Sequence, residues 1–168
     1  TWGVSKNHSC LGHGGESESS AENQDLSGLA GPTRVVGKLL GTTVAAVACG
    51  DGHVLALLTR GAVYSWGEND WGQLGTDGGG GETEPSRGAP AHIAALESYQ
   101  VISIACGARH SLAVTNAGQV YSWGMCKCGQ LGRLSEGECH KTPRSLHDDD
   151  DDDDLEEAVE KGTSVDGA

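Results

Sequence analysis

The segment from Val44 to Gly75 recurs without a gap 57 positions later, and no other feature restricts the possible folds as much. Cys49-Gly50 aligns with Cys106-Gly107, His53 with His110, Leu55-Ala56 with Leu112-Ala113 and Gly61 with Gly118. Val63-Tyr64-Ser65-Trp66-Gly67 aligns with Val120-Tyr121-Ser122-Trp123-Gly124, and Gly72-Gln73-Leu74-Gly75 with Gly129-Gln130-Leu131-Gly132. Self-similarity at a fixed period marks stacked supersecondary units, each too small to bury its apolar faces alone. A partial copy opens the chain, with Trp2-Gly3 and Leu11-Gly12 in the places of Trp66-Gly67 and Leu74-Gly75. Pro32, Pro90 and Pro143 are each followed three residues later by an apolar residue: Val35, Ile93 and Leu146. These marks divide residues 1–147 into a repeat remnant at 1–14, full repeats at about 32–89 and 90–142, and the start of another at 143–147.

Each repeat reads as three strands and a connection. Val44–Cys49 and Val101–Cys106 are apolar or small on both faces, as expected of a strand buried on both sides. His53–Leu58 and His110–Thr115 are also largely apolar. Gly61 and Gly118 then offer the positive φ that a tight hairpin favours. In the third strand Tyr64 and Trp66 alternate with Val63 and Ser65, the period of an extended chain. The stretch after each proline offers a fourth strand. Small sheets recurring in this way need neighbours on both sides, which radial closure into a propeller or stacking into a solenoid would supply.

Composition agrees with short strands and tight turns: the chain has 27 glycines among 168 residues and only 4 prolines. The net charge of −13 is uneven. Residues 148–168 hold eleven carboxylates against Lys161, or −10, which leaves −3 for residues 1–147. Like charges at this density keep the tract solvated and without regular structure. Neither part has the basic footprint that a phosphate backbone requires, so direct nucleic-acid binding is not expected. No apolar run approaches a membrane span.

Cys-Gly-x-x-His, followed by Gly-x-Val-Tyr-Ser-Trp-Gly and Gly-Gln-Leu-Gly, resembles the signature of the regulator-of-chromosome-condensation repeat over roughly residues 32–147. The resemblance implies an all-β chain: a partial β-propeller with two full blades and partial ones, from which four or five of seven blades are missing; the charge run adds a disordered acidic tail. The family includes a guanine-nucleotide exchange factor for a Ran-like small GTPase, ubiquitin ligases with a separate catalytic domain, and a plant photoreceptor. Fold alone therefore does not assign function. The photoreceptor's Gly-Trp-Arg-His-Thr motif is absent; the equivalent stretches are Gly107-Ala108-Arg109-His110-Ser111 and Gly50-Asp51-Gly52-His53-Val54.

No nucleophile, base and orienting group stand in a recognisable pattern, so no catalytic residue, metal or cofactor is expected in this segment. His53 and His110 recur with the repeat and read as structural ties between strand and loop. Cys126, Cys128, Cys139 and His140 match zinc-knuckle spacing poorly. Cys49 and Cys106, one blade apart, read as small buried hydrophobes too distant for a disulfide. Gly78–Gly81 lacks the Gly-Lys-Ser/Thr ending of a phosphate loop. The candidate binding residues are Trp71, which has no counterpart in the second repeat, and the run Asp148, Asp149, Asp150, Asp151, Asp152, Asp153 and Asp154. The expectation is a non-catalytic protein-interaction scaffold; an exchange factor or the substrate-recruiting propeller of a ubiquitin ligase are the alternatives. The expected partner is a protein, either a small GTPase or a basic protein such as a histone, without nucleic acid or membrane. A thiol-rich, disulfide-poor chain points to an intracellular setting, nucleus or cytoplasm.

Overall fold

The computed structural model describes residues 34, 35, 37–76, 86–132 and 142–146. They form two four-stranded antiparallel sheets in sequential order. The first contains β1 (Val44–Cys49), β2 (His53–Leu58), β3 (Val63–Gly67) and β4 (Arg87–His92). A 3₁₀ turn, Ala94–Leu96, leads to the second: β5 (Val101–Cys106), β6 (His110–Thr115), β7 (Val120–Gly124) and β8 (Arg144–Ser145). The period seen in the sequence is also the period of the register. His53 faces Gly67 and Val54 faces Trp66 in the first sheet; His110 faces Gly124 and Ser111 faces Trp123 in the second. Even the irregularity between Val44 and Ala46 recurs between Val101 and Ser103. These are two stacked blades of a partial propeller.

The two sheets pack face to face. Leu55, Leu57 and Val63 of the first meet Val101, Ala113, Tyr121 and Trp123 of the second, with Ile93 and Leu96 of the connection closing the gap. The side-chain period of two sends the alternate residues Val54, Ala56 and Trp66 to the first sheet's opposite face, where Val35 and Leu39 cover them in part. A cavity of about 300 Å³ remains on that face, lined by residues that include Val47, Val54, Ala56 and Trp66. Gly61 and Gly118 take the expected positive φ, 87° and 81°. Gly75 has φ 66°, and a Cβ there would lie 2.7 Å from the Trp123 indole nitrogen. Glycine at this place therefore admits both the turn and the tryptophan of the next blade.

Two expectations for the strands are corrected. β1 is not buried on both faces: Val47 is 64% exposed and Ile102, in β5, 58%. β1 and β5 are the first strands of their sheets, each paired along one edge only. The fourth strand of the first blade does not follow Pro90; it runs through it, from Arg87 to His92. Proline is tolerated there because β4 is an edge strand whose outer side needs no amide donor. In the second blade β8 does follow Pro143.

Candidate functional site

The polar side chains with catalytic potential converge on the seam between the blades. His53 Nε2 lies 2.9 Å from Ser111 Oγ, both buried. Ser111 donates its hydroxyl hydrogen to the Gln73 carbonyl at 2.8 Å. A hydroxyl has one hydrogen, so His53 must donate from Nε2 to Ser111 and hold its free lone pair on Nδ1. Nδ1 is buried without a hydrogen-bond partner. Burial, with the charge of His110 second and opposed by Asp51, pulls the His53 pKa down to about 4. The pair looks like a base beside a nucleophile, but the nitrogen facing the hydroxyl carries a proton and cannot accept one. This histidine ties blade to blade, a longer reach than the strand-to-loop tie expected of it.

Trp123 completes the seam by donating its indole N–H to the same Gln73 carbonyl at 2.9 Å. Ser65 and Ser122 each donate to the carbonyl of the leucine in their own Gly-Gln-Leu-Gly turn, Leu74 at 2.8 Å and Leu131 at 2.9 Å. The repeated serines and Gly-Gln-Leu-Gly turns carried a signal for these last contacts. Ser111 carried none, because Val54 stands at its place in the first repeat.

Trp71 sits elsewhere, on the turn after β3. It is half-buried, and Lys127 of the second blade holds its ammonium 4.5 Å from the ring centroid. The turns at this end are in contact: the Asp51 amide donates to the Ala108 carbonyl at 3.0 Å and the Met125 amide to the Arg109 carbonyl at 2.9 Å. Asp51, Asp70, Arg109 and Lys127 are exposed here. Asp148 to Asp154 lie outside the described residues, as do Cys139 and His140. Among the described residues no group of three or more His, Cys, Asp or Glu is placed to hold a metal ion. No helix among them is long and apolar enough to cross a membrane. Cys126 is disulfide-bonded, while Cys49, Cys106 and Cys128 are free thiols, and Cys49 is exposed, not the buried hydrophobe expected.

The description "Regulator of chromosome condensation (RCC1) repeat" matches residues 1–57 and 60–114, and a second form of it matches residues 44–73 and 101–130. The chain belongs to the RCC1 repeat family. Among RCC1-repeat relatives, human "Probable E3 ubiquitin-protein ligase HERC3" is 38% identical over 110 residues, 66% of this chain and 10% of the relative. The "Ultraviolet-B receptor UVR8" of Arabidopsis thaliana is 44% identical over 94 residues, 56% of this chain and 20% of the relative. The chain thus spans a fifth or less of either protein. Prp20p from Saccharomyces cerevisiae shares the fold, with a TM-score of 0.57 at 23% identity, over 63% of this chain and 26% of that one. An RCC1 repeat thus serves proteins of quite different activity, so its function here must be argued from the surface that its blades present.

Proposed function

We propose that the chain is a non-catalytic protein-interaction scaffold, with residues 1–147 forming part of an RCC1-type propeller and residues 148–168 an acidic tract. The observation that carries this reading is the hydrogen-bond direction at the seam. The buried His53–Ser111 pair is spent on a tie between blades, with the Ser111 hydroxyl turned to the Gln73 carbonyl and away from the histidine. What the blades leave accessible is a face of turns bearing Trp71, Asp70, Asp51 and Arg109. Trp71 serves as an interface anchor on that face. Asp148 to Asp154 serve to attract a basic partner such as a histone surface, in an intracellular setting, nucleus or cytoplasm.

A second reading, the substrate-recruiting propeller of a ubiquitin ligase, draws on the 38% identity to HERC3. A third, nucleotide exchange on a Ran-like GTPase, draws on Prp20p, whose structure is reported with its binding properties to Gsp1p and histones. The test uses the intact protein. A scaffold binds its partner through the turn face, so Asp51→Lys and Asp70→Lys abolish binding with unchanged melting, and release of labelled GDP from a Ran-like GTPase is not accelerated. Accelerated release decides for exchange. Partner ubiquitination that requires the turn face decides for ligase recruitment. A hydrolytic or transfer activity lost on Ser111→Ala overturns the non-catalytic reading.

A further inference from the structure

The turn after β3 carries a ring that the turn itself does not need. In the first repeat it reads Asp70-Trp71-Gly72-Gln73, in the second Lys127-Cys128-Gly129-Gln130. Both close in the same way. The glutamine Oε1 accepts from the amide two residues earlier, Trp71 at 2.9 Å and Cys128 at 2.7 Å. The glycine between them has φ 73° in one copy and 69° in the other. Gly75 and Gly132 then donate to that glycine's carbonyl at 3.0 Å in both. A cysteine thus builds the same backbone, and the indole has no part in shaping it.

The ring is nevertheless held in place and already engages a cation. Its turn is rooted in buried Asn69, Gln73 and Leu74, with Asn69 Oδ1 accepting from the Leu74 amide at 3.0 Å. The Lys127 ammonium occupies the ring at 4.5 Å, reaching over from the neighbouring blade. Asp70, the residue before Trp71, is exposed, as is Asp51 in the β1–β2 turn at the same end of the blade. The second blade's share of the face is cationic, Arg109 and Lys127. An aromatic face attracts a cation, and a flanking carboxylate strengthens the attraction. A guanidinium stacks on indole and is more weakly hydrated than an ammonium.

We infer that Trp71 is a platform for an arginine side chain of a partner protein, which displaces Lys127 from the ring and pairs with Asp70. This rests on the reading of the chain as an interaction scaffold and names the partner chemistry for it. Lys127 is a placeholder that competes with the ligand and repels it. The partner approaches from the first blade's side, where the carboxylates stand.

The test measures binding of a short synthetic arginine–glycine peptide to the intact protein, with a glutamate–glycine peptide beside it. Trp71→Ala and Asp70→Asn each weaken the arginine peptide about tenfold. Lys127→Met tightens it about threefold, because both competitor and repulsion are gone. The glutamate peptide does not bind. Trp71→Cys, which copies the second repeat, weakens binding like Trp71→Ala and melts like the wild type, which separates loss of the platform from loss of the fold. Weaker binding on Lys127→Met, or binding indifferent to Trp71→Ala, overturns the inference. If Asp51→Lys and Asp70→Lys abolish binding of the natural partner while Trp71→Ala does not, the scaffold stands and the platform falls.

Discussion

Trp123 of the second blade donates its indole N–H to the backbone carbonyl of Gln73 in the first, at 2.9 Å, and is fully buried there. A large apolar side chain and a polar tip are thus satisfied at one site, the arrangement buried tryptophan requires. The Ser111 hydroxyl donates to the same carbonyl, so one acceptor on the Gly-Gln-Leu-Gly turn anchors two strands of the next blade.

Trp123→Ala in the intact protein is therefore expected to cost about 3–5 kcal/mol, through both cavity and lost contact. Trp71→Ala, on the surface, should stay within about 0.5 kcal/mol. Gly75→Ala should destabilise by on the order of 1–3 kcal/mol, since it strains a positive φ and drives a methyl against Trp123. Denaturant melts of the three variants check the order. Equal losses for Trp123→Ala and Trp71→Ala would remove the seam as the principal contact between blades.

The tautomer of His53 carries a pH dependence. Its folded-state pKa is lowered from 6.5 to about 4, first by burial and then by His110. Between those values the unfolded chain binds the proton and the folded one does not. The stabilisation is thus complete above about pH 6.5 and is lost as pH falls toward 4, by up to about 3 kcal/mol. Melting temperature followed from pH 7.5 to 4 should fall through that window, and less steeply in His53→Gln. A profile unchanged by that substitution would place the acid sensitivity on other groups. Ser111→Val should remove the acceptor of the His53 proton and cost about 1–3 kcal/mol at neutral pH.

Thiol chemistry should order the cysteines. Burial, with the Cys49 charge second, pushes the Cys106 thiol up to about 12, so almost no thiolate is present at neutral pH. Cys128 is exposed on its turn. Native alkylation with iodoacetamide should label Cys128 well before Cys106, and Cys126 only after reduction. Cys106 modified as fast as Cys128 would mean that the blades separate readily under native conditions.

Much of the fold was legible because the chain states it twice. The 57-residue shift aligned Val54 with Ser111 and Trp66 with Trp123, and the sheets keep that alignment in their register. Features that break the repeat were not legible. Ser111 replaces valine, so periodicity could not show that it would hold His53. Trp71 stood out for lacking a counterpart, but its contact with Lys127 depends on how two adjacent turns meet. The exposure of Val47 and Ile102 was missed because an apolar strand reads as buried whether or not the neighbours that would cover it are at hand.

The acidic tract adds a kinetic expectation. Seven aspartates, Asp148 to Asp154, follow closely after β8, the last strand of the second sheet, where in the first blade the Ala94–Leu96 connection leads on to the next. Burying unpaired carboxylates costs several kcal/mol each. Beside a nearly neutral repeat domain, the tract is proposed to raise the encounter rate with a basic partner more than it lowers the dissociation rate. With Asp148 to Asp154 replaced by Ser and Gly in the intact protein, association with a histone or another Lys/Arg-rich partner should slow markedly at low salt. The difference should close as the Debye length shrinks from roughly 30 Å at 0.01 M to roughly 8 Å at 0.15 M, while dissociation changes little. Stopped-flow association across that range reads both quantities, and equal rates with equal salt slopes in the two proteins would reduce the tract to a spacer.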